Sequence, residues 1–372
     1  MKPRNLALFT AITLFPTVGI AIQTLLAHKT EEQIISFDAG PNTFPASINP
    51  EGEITGNYSD ASLISHGFLR AGDGIITTFD APGAGTGPGQ GTFPSGINPK
   101  GEITGYYYDD AIGAIHGFLR ARDGIITTFD APGVGTGFPG TTPSGINLEG
   151  EITGYYVDLN GGDRAFLRAR DGTFITFAAP GAATTDTIAL AINSRGDITG
   201  WYAGAFEPVR GFLRSRDGTV ATFDAPGAVL FRAAGTFPSG INPDGEITGF
   251  YSASGGPRGF LRDRDGTMTT FDAGPRGTFP QGISSQGEIT GYYQDLNFVD
   301  HGFLRARDGT MTKFDAGPNG TLPLSINPRG EITGNYWDSG GIAHGFLRKP
   351  DRHEKSKNES VDRDDEDSER PE

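Results

Sequence analysis

One phrase returns seven times along this chain, and no other property limits its fold so strongly. The segment Glu/Asp-Ile-Thr-Gly places its glycine at Gly56, Gly105, Gly154, Gly200, Gly249, Gly291 and Gly334, at successive spacings of 49, 49, 46, 49, 42 and 43 residues. The differences in spacing fall between the motifs. One structural unit is therefore repeated, with connecting loops of variable length.

Within a unit four strand-like pieces follow one another. In the second unit they are GTFPSGIN (91–98), GEITGYY (101–107), HGFLRAR (116–122) and IITTFDA (125–131). Each is a short run rich in Ile, Thr, Phe and Tyr bounded by turn residues, which is strand chemistry. No helical period appears after residue 30. Asn98-Pro99-Lys100-Gly101 closes the first piece onto the second, with Pro fixing φ and Gly tolerating positive φ, and Asp123-Gly124 makes a tight hairpin between the third and fourth. In the second piece Ile103, Gly105 and Tyr107 share one face and Glu102, Thr104 and Tyr106 the other, so bulk on both faces predicts a strand covered on both sides. The 57 glycines and 25 prolines among 372 residues then belong to turns between many short strands rather than to disorder.

Four antiparallel strands repeated every 40 to 50 residues predict an all-β fold: a seven-bladed β-propeller of four-stranded antiparallel blades. Gly96, Gly145, Gly240 and Gly282 in the first pieces suit a crowded innermost strand around a central channel. The seventh unit stops after HGFLR (344–348), without a fourth strand, while EQIISFDAGP (32–41) is a fourth strand with no unit before it. The ring is thus expected to be closed by the N-terminal strand (residues 33–39), completing blade seven and leaving no open edges.

The motif HGFLRARDGTMTKFDAGPNGTLPLSINPRGEITGNY (301–336) resembles the extracellular HAF-repeat proteins of bacteria, whose units couple a His-Ala-Phe strand to an Ile-Asn-x-x-Gly turn. The resemblance covers nearly all of residues 33–348. The middle residue here is usually Gly, and Ala165-Phe166 comes closest to the pattern, although Arg164 replaces the histidine. The resemblance implies an extracellular location and a repeat architecture, and no reaction.

Three regions follow: residues 1–30, the propeller at 31–349, and a charged, solvated tail at 350–372. Lys2 and Arg4 precede an uncharged run from Asn5 to Ala27, the pattern of a signal peptide, with Gly19-Ile20-Ala21 as a passable cleavage site. A run of this length also suits an uncleaved membrane anchor, and both readings stay open. Either way the chain is expected to be exported, extracellular or periplasmic, with membrane contact only through residues 5–27. The absence of cysteine removes any disulfide framework. The formal net charge of −15 disfavours nucleic acid and anionic membrane surfaces as partners. A closed disc is expected to be a monomer.

In such a disc the Asn-Pro-x-Gly and Asp-Gly turns occupy one face and hardly vary. The second-to-third loops and the connections between units occupy the other, and there the sequence changes from unit to unit, as at 109–115, 158–163, 203–209 and 294–300. That loop face is the expected binding surface, for a glycan, a peptide or a surface partner. Tyr106, Tyr155, Trp201, Phe250 and Tyr292 occupy one repeated position near it, with Asn57 and Asn335 in the remaining units; they either stack on a ligand or pack between blades. Asp60, Asp109, Asp158, Asp295 and Asp338 follow the second strand, and His66, His116, His301 and His344 open the third. Paired Asp and His suit a metal or acid/base site, or a hydrogen bond closing each unit's own loop. Glu102 and its equivalents, with Arg120 and its equivalents, are expected to form one ion pair per blade. No HExxH, P-loop or cysteine nucleophile is present, so no catalytic residue, metal ligand or cofactor is assigned. The alternative to a binding scaffold is a hydrolase or lyase drawing on the same Asp and His residues.

Overall fold

The computed structural model describes residues 33–350 except 110–112, 136–139, 181–185, 205–206 and 232. The readings of residues 1–30 and of the tail beyond Pro350 lie outside the described residues. Contacts divide the chain between Glu31 and Glu32, and all the described residues belong to the second part.

All regular structure among the described residues is strand, 28 strands in chain order. They form five separate four-stranded sheets and one eight-stranded sheet, in which two four-stranded meanders meet through a single parallel bridge, Ser65 to Gly91. Each repeat of the sequence is one antiparallel meander. In unit two it runs through Gly91–Ile97, Ile103–Tyr108, Ile115–Arg120 and Ile126–Phe129. Unit seven contributes Thr321–Ile326, Ile332–Trp337 and Ala343–Lys349, and its fourth strand is Gln33–Phe37 from the other end of the chain. That strand pairs antiparallel with Ala343–Lys349, from Gln33 opposite Lys349 to Phe37 opposite Gly345. It is two residues shorter than the sequence pattern suggests.

The core lies between units. Ile103 and Phe118 of unit two are fully buried and pack with Ile97 and Tyr107 against Leu69 and Phe79 of unit one. On the opposite face of the second strand Thr104 is equally buried, and its hydroxyl donates to the Phe118 carbonyl at 2.9 Å. Burial on both faces explains why this strand carries bulk on both. A Cβ at Gly105 would collide with the Phe93 carbonyl and sit 2.6 Å from the Pro94 Cα, so the first and second strands approach too closely for a side chain.

The first strand of every unit is bulged at one place, between Pro94 and Gly96 in unit two. Proline has no N–H to lose there. The extra residue, Ser95, donates its hydroxyl to the Pro143 carbonyl of the next unit at 2.8 Å, as Ser239 does to Pro280. First-strand residues of all seven units, Gly96, Gly145, Gly240 and Gly282 among them, line one cavity of about 210 Å³.

Two side-chain ladders bind unit to unit. Asn98, 1 % exposed, accepts the Lys100 and Glu102 N–H groups on Oδ1, donates to the Glu102 carboxylate at 2.7 Å and reaches the Asn147 carbonyl of unit three at 3.1 Å. The bond to the next unit recurs from Asn49, Asn147, Asn193 and Asn242, and Asn327 of unit seven donates to the Asn49 carbonyl of unit one. Ser284 occupies this position in unit six. The second ladder overturns the expected Glu–Arg pair within each blade. Arg120 instead lies 4.9 Å over the Phe79 ring of unit one, and Arg70 lies 5.0 Å over Phe37 of the N-terminal strand. Glu53, Glu102 and Glu151 pair across the boundary with Arg122, Arg170 and Arg216, arginines of the hairpin turns. The third strand's arginine lies over the neighbouring unit's phenylalanine instead of beside its own unit's glutamate.

Candidate functional site on the loop face

The second-to-third loops of units one, three, six and seven are built alike. Oδ1 of Asp60 accepts the N–H groups of Ser62 and Ile64, and Asp158, Asp295 and Asp338 repeat the arrangement two and four residues on. These donors hold the Asp60, Asp295 and Asp338 carboxyls below the ordinary carboxylate range; at Asp158 the leading cause is Arg164, 2.9 Å away.

The other oxygen of Asp60, Asp295 and Asp338 faces an imidazole, and that of Asp158 faces Arg164. His66 lies between Asp60 (Nε2, 3.7 Å) and Asp80 at the end of the fourth strand (Nδ1, 3.0 Å). His116 lies between Asp109 and Asp130, His301 between Asp295 and Asp315, and His344 between Asp338 and Asp38. Each ring stacks on the second-strand tyrosine of its own unit, Tyr58, Tyr107, Tyr293 or Tyr336, at 5.1 to 5.2 Å. Where arginine replaces histidine it keeps a carboxylate partner: Arg164 with Asp158, Arg210 with Asp224 and Arg258 with Asp272. The expected Asp and His positions are thus brought together in units one, two, six and seven, each set within its own unit. Sequence reading missed the third member, the aspartate of the Phe-Asp-Ala segment, although it stands fourteen residues after each of His66, His116 and His301.

His344 links the last strand, Ala343–Lys349, to Asp38 just after the first. Burial opposes its charged form, but the hydrogen bond and charge of Asp38, then of Asp338, outweigh it and raise its pKa. A raised pKa stabilises the fold below the unfolded value and loses that contribution as pH rises through the folded one; the lowered Asp338 contributes above its unfolded value and loses it in acid. Melting temperature is therefore expected to fall modestly between about pH 5.5 and about pH 8. The fall is expected to be smaller in His344→Gln. Equal slopes in the two proteins would contradict this assignment.

Four of the five aromatics pack on first-strand phenylalanines. Tyr106, Phe250 and Tyr292 stack on Phe93, Phe237 and Phe279 of their own first strands at 4.7 to 5.1 Å. Trp201 and Phe250 also meet the first-strand phenylalanine of the following unit edge-on, at 6.1 and 5.3 Å. Tyr155 stands opposite Thr142. Burial, then Tyr108 and Tyr155, push the Tyr106 hydroxyl up to about 12, as expected of a ring inside a packed layer.

One carboxyl breaks the pattern. Asp163, at the start of a third strand, is pushed up to about 6 by burial and then by Asp186 of the next unit and Asp158. Its sequence neighbours gave no signal, because Asp163 and Asp186 approach only across a unit boundary. Among the described residues no group of three or more His, Asp or Glu is placed to hold a metal ion, and no helix is long and apolar enough to cross a membrane.

No protein-family model and no curated protein matches this sequence. Solved structures do. A streptogramin B lyase aligns over 86 % of this chain and 99 % of its own, at 15 % identity and a TM-score of 0.56. A puromycin hydrolase mutant complexed with PGG aligns over 79 % of this chain at 13 % identity and a TM-score of 0.54, and this chain spans 50 % of that protein's length. At such identities the likeness is one of fold. The chain has an all-β, β-propeller-like fold.

Proposed function

We propose that the seven units close into a seven-bladed propeller and that the chain is an exported binding scaffold, of the kind the HAF-repeat resemblance implies. Its loop face engages a glycan, peptide or surface partner. The observation that carries this reading is the equivalence of the four His–Asp sets. Each imidazole is held between carboxylates of its own unit and stacked on its own tyrosine, and the loop aspartates cap backbone N–H groups. An enzyme sets one place apart, whereas this set recurs in the same form in units one, two, six and seven. Closure is supported by the pairing of Gln33–Phe37 with Ala343–Lys349 and by the bond from Asn327 to Asn49. Export through residues 1–30, and a monomeric state, belong to the same proposal.

Binding arrays of glycans and peptides, run beside a broad hydrolase and lyase screen, test the reading. Saturable binding without turnover is the expected result. Turnover that disappears in Asp109→Asn or His116→Ala would move the chemistry into those sets and overturn the scaffold.

A further inference from the structure

The loop face displays large apolar side chains at its tips. Leu296 and Phe298 of unit six are 67 % and 64 % exposed, Ile342 of unit seven 40 %, and Leu63 of unit one 59 %. Two of them sit where the backbone disfavours them. The fourth residue of each capped loop takes a positive φ, and in units three and seven it is Gly161 and Gly341, both at 80°. In units one and six the same position holds Leu63 at 63° and Phe298 at 65°. Phe298 is also braced, because the Arg276 guanidinium lies 3.9 Å over its ring while Nε donates to the Leu296 carbonyl at 3.1 Å. A braced, exposed aromatic is an anchor that loses little entropy on binding.

Charge selects what the anchors meet. Around them stand Asp38, Asp60, Asp80, Asp295, Asp315 and Asp338, against the cations Arg276 and Lys313 and the imidazoles of His66, His301 and His344 that these carboxylates flank, so that carboxylates outnumber cations. A second copy of this face, or an anionic lipid surface, would be repelled. We infer that the loop face over units six, seven and one docks a cationic peptide segment that also carries apolar side chains. The apolar residues meet Phe298, Ile342 and Leu63 while the basic residues lie over the carboxylates. This inference rests on the reading of the loop face as the binding face and names the partner's class.

The test uses the full chain and a fluorescent peptide of alternating Lys and Leu, read by anisotropy, with Lys/Gly and Glu/Leu peptides and phosphatidylcholine vesicles as comparisons. Combining Leu63→Gly with Phe298→Gly installs the residue that the equivalent loops already carry, so the fold is kept, and unchanged melting checks this. The Lys/Leu peptide is expected to bind saturably and to lose about tenfold in affinity in the double variant. Added salt is expected to weaken it further. No Lys/Leu binding, equal binding of Lys/Gly or Glu/Leu, a preference for vesicles, or unchanged affinity in the double variant would each overturn the inference. Binding of a glycan but of no peptide would overturn it and leave the loop-face reading standing. Peptide binding abolished by Ile75→Ser with Ile125→Ser, on the opposite face, would overturn both.

Discussion

Deleting residues 31–41 is expected to lower the melting temperature by about 10 °C or more and to drive the protein into aggregates. The expectation follows from what Gln33–Phe37 does for both neighbours. Toward unit seven it supplies the fourth strand, paired over five positions with Ala343–Lys349. Toward unit one it supplies Phe37, 9 % exposed, whose ring meets Phe68 edge-on at 6.1 Å and lies beneath Arg70. Ile35 packs in the same cluster. Burying the phenylalanine contributes about 1.5 to 3 kcal/mol and the half-buried isoleucine less, the stacked guanidinium about 0.5 to 2 kcal/mol, and the lost backbone pairs add to this. Deletion also exposes the edge of Ala343–Lys349 to pairing with other chains. A truncated protein that stays monomeric and melts as before would contradict the role given to this strand.

Asn98→Ala is expected to cost about 3 kcal/mol, a large effect for one small polar side chain. Its amide serves four partners: two backbone N–H groups of its own turn, the Glu102 carboxylate and the Asn147 carbonyl of the next unit. Each such bond is worth about 1 kcal/mol net, and the cost rises when a partner is left dry. Substitution also frees the turn that Gly101 closes at a φ of 76°. The same position in unit six offers a control, since the bonds of the Ser284 hydroxyl lie within its own turn. Ser284→Ala is therefore expected to cost clearly less in urea denaturation. Equal losses would mean that the asparagine acts only on its turn.

Much of this architecture could be read from the chain because turn residues punctuate it. Asn-Pro-Lys-Gly and Asp-Gly mark hairpins whatever surrounds them, and the alternation in GEITGYY places Ile103 and Tyr107 on one buried face, as observed. The contacts between units could not be read. Arg120 and Glu102 looked like partners because they lie on adjacent strands of one blade. Their actual partners are set by how neighbouring units meet, which no period within a unit records: Arg120 rests on Phe79, and Glu102 pairs with Arg170. The candidate site was legible in the same proportion. Asp109 and His116 were visible as a repeated pair and do face one another across a loop, but Asp130 was hidden in the end of a strand. The five aromatics were visible as a series, yet their stacking on Phe93, Phe237 and Phe279 depends on cross-strand register.

Because the chain contains no cysteine, Gln33→Cys together with Lys349→Cys gives a protein with only two thiols, at positions directly opposite in the pairing of the first and last strands. Cross-strand neighbours lie within the span that a disulfide bridges. Mild oxidation followed by mass spectrometry and non-reducing electrophoresis is expected to yield a monomer with one internal disulfide and a higher melting temperature. Free thiols, or disulfides only between separate chains, would show that the two ends do not meet and that the seven units do not form a closed ring.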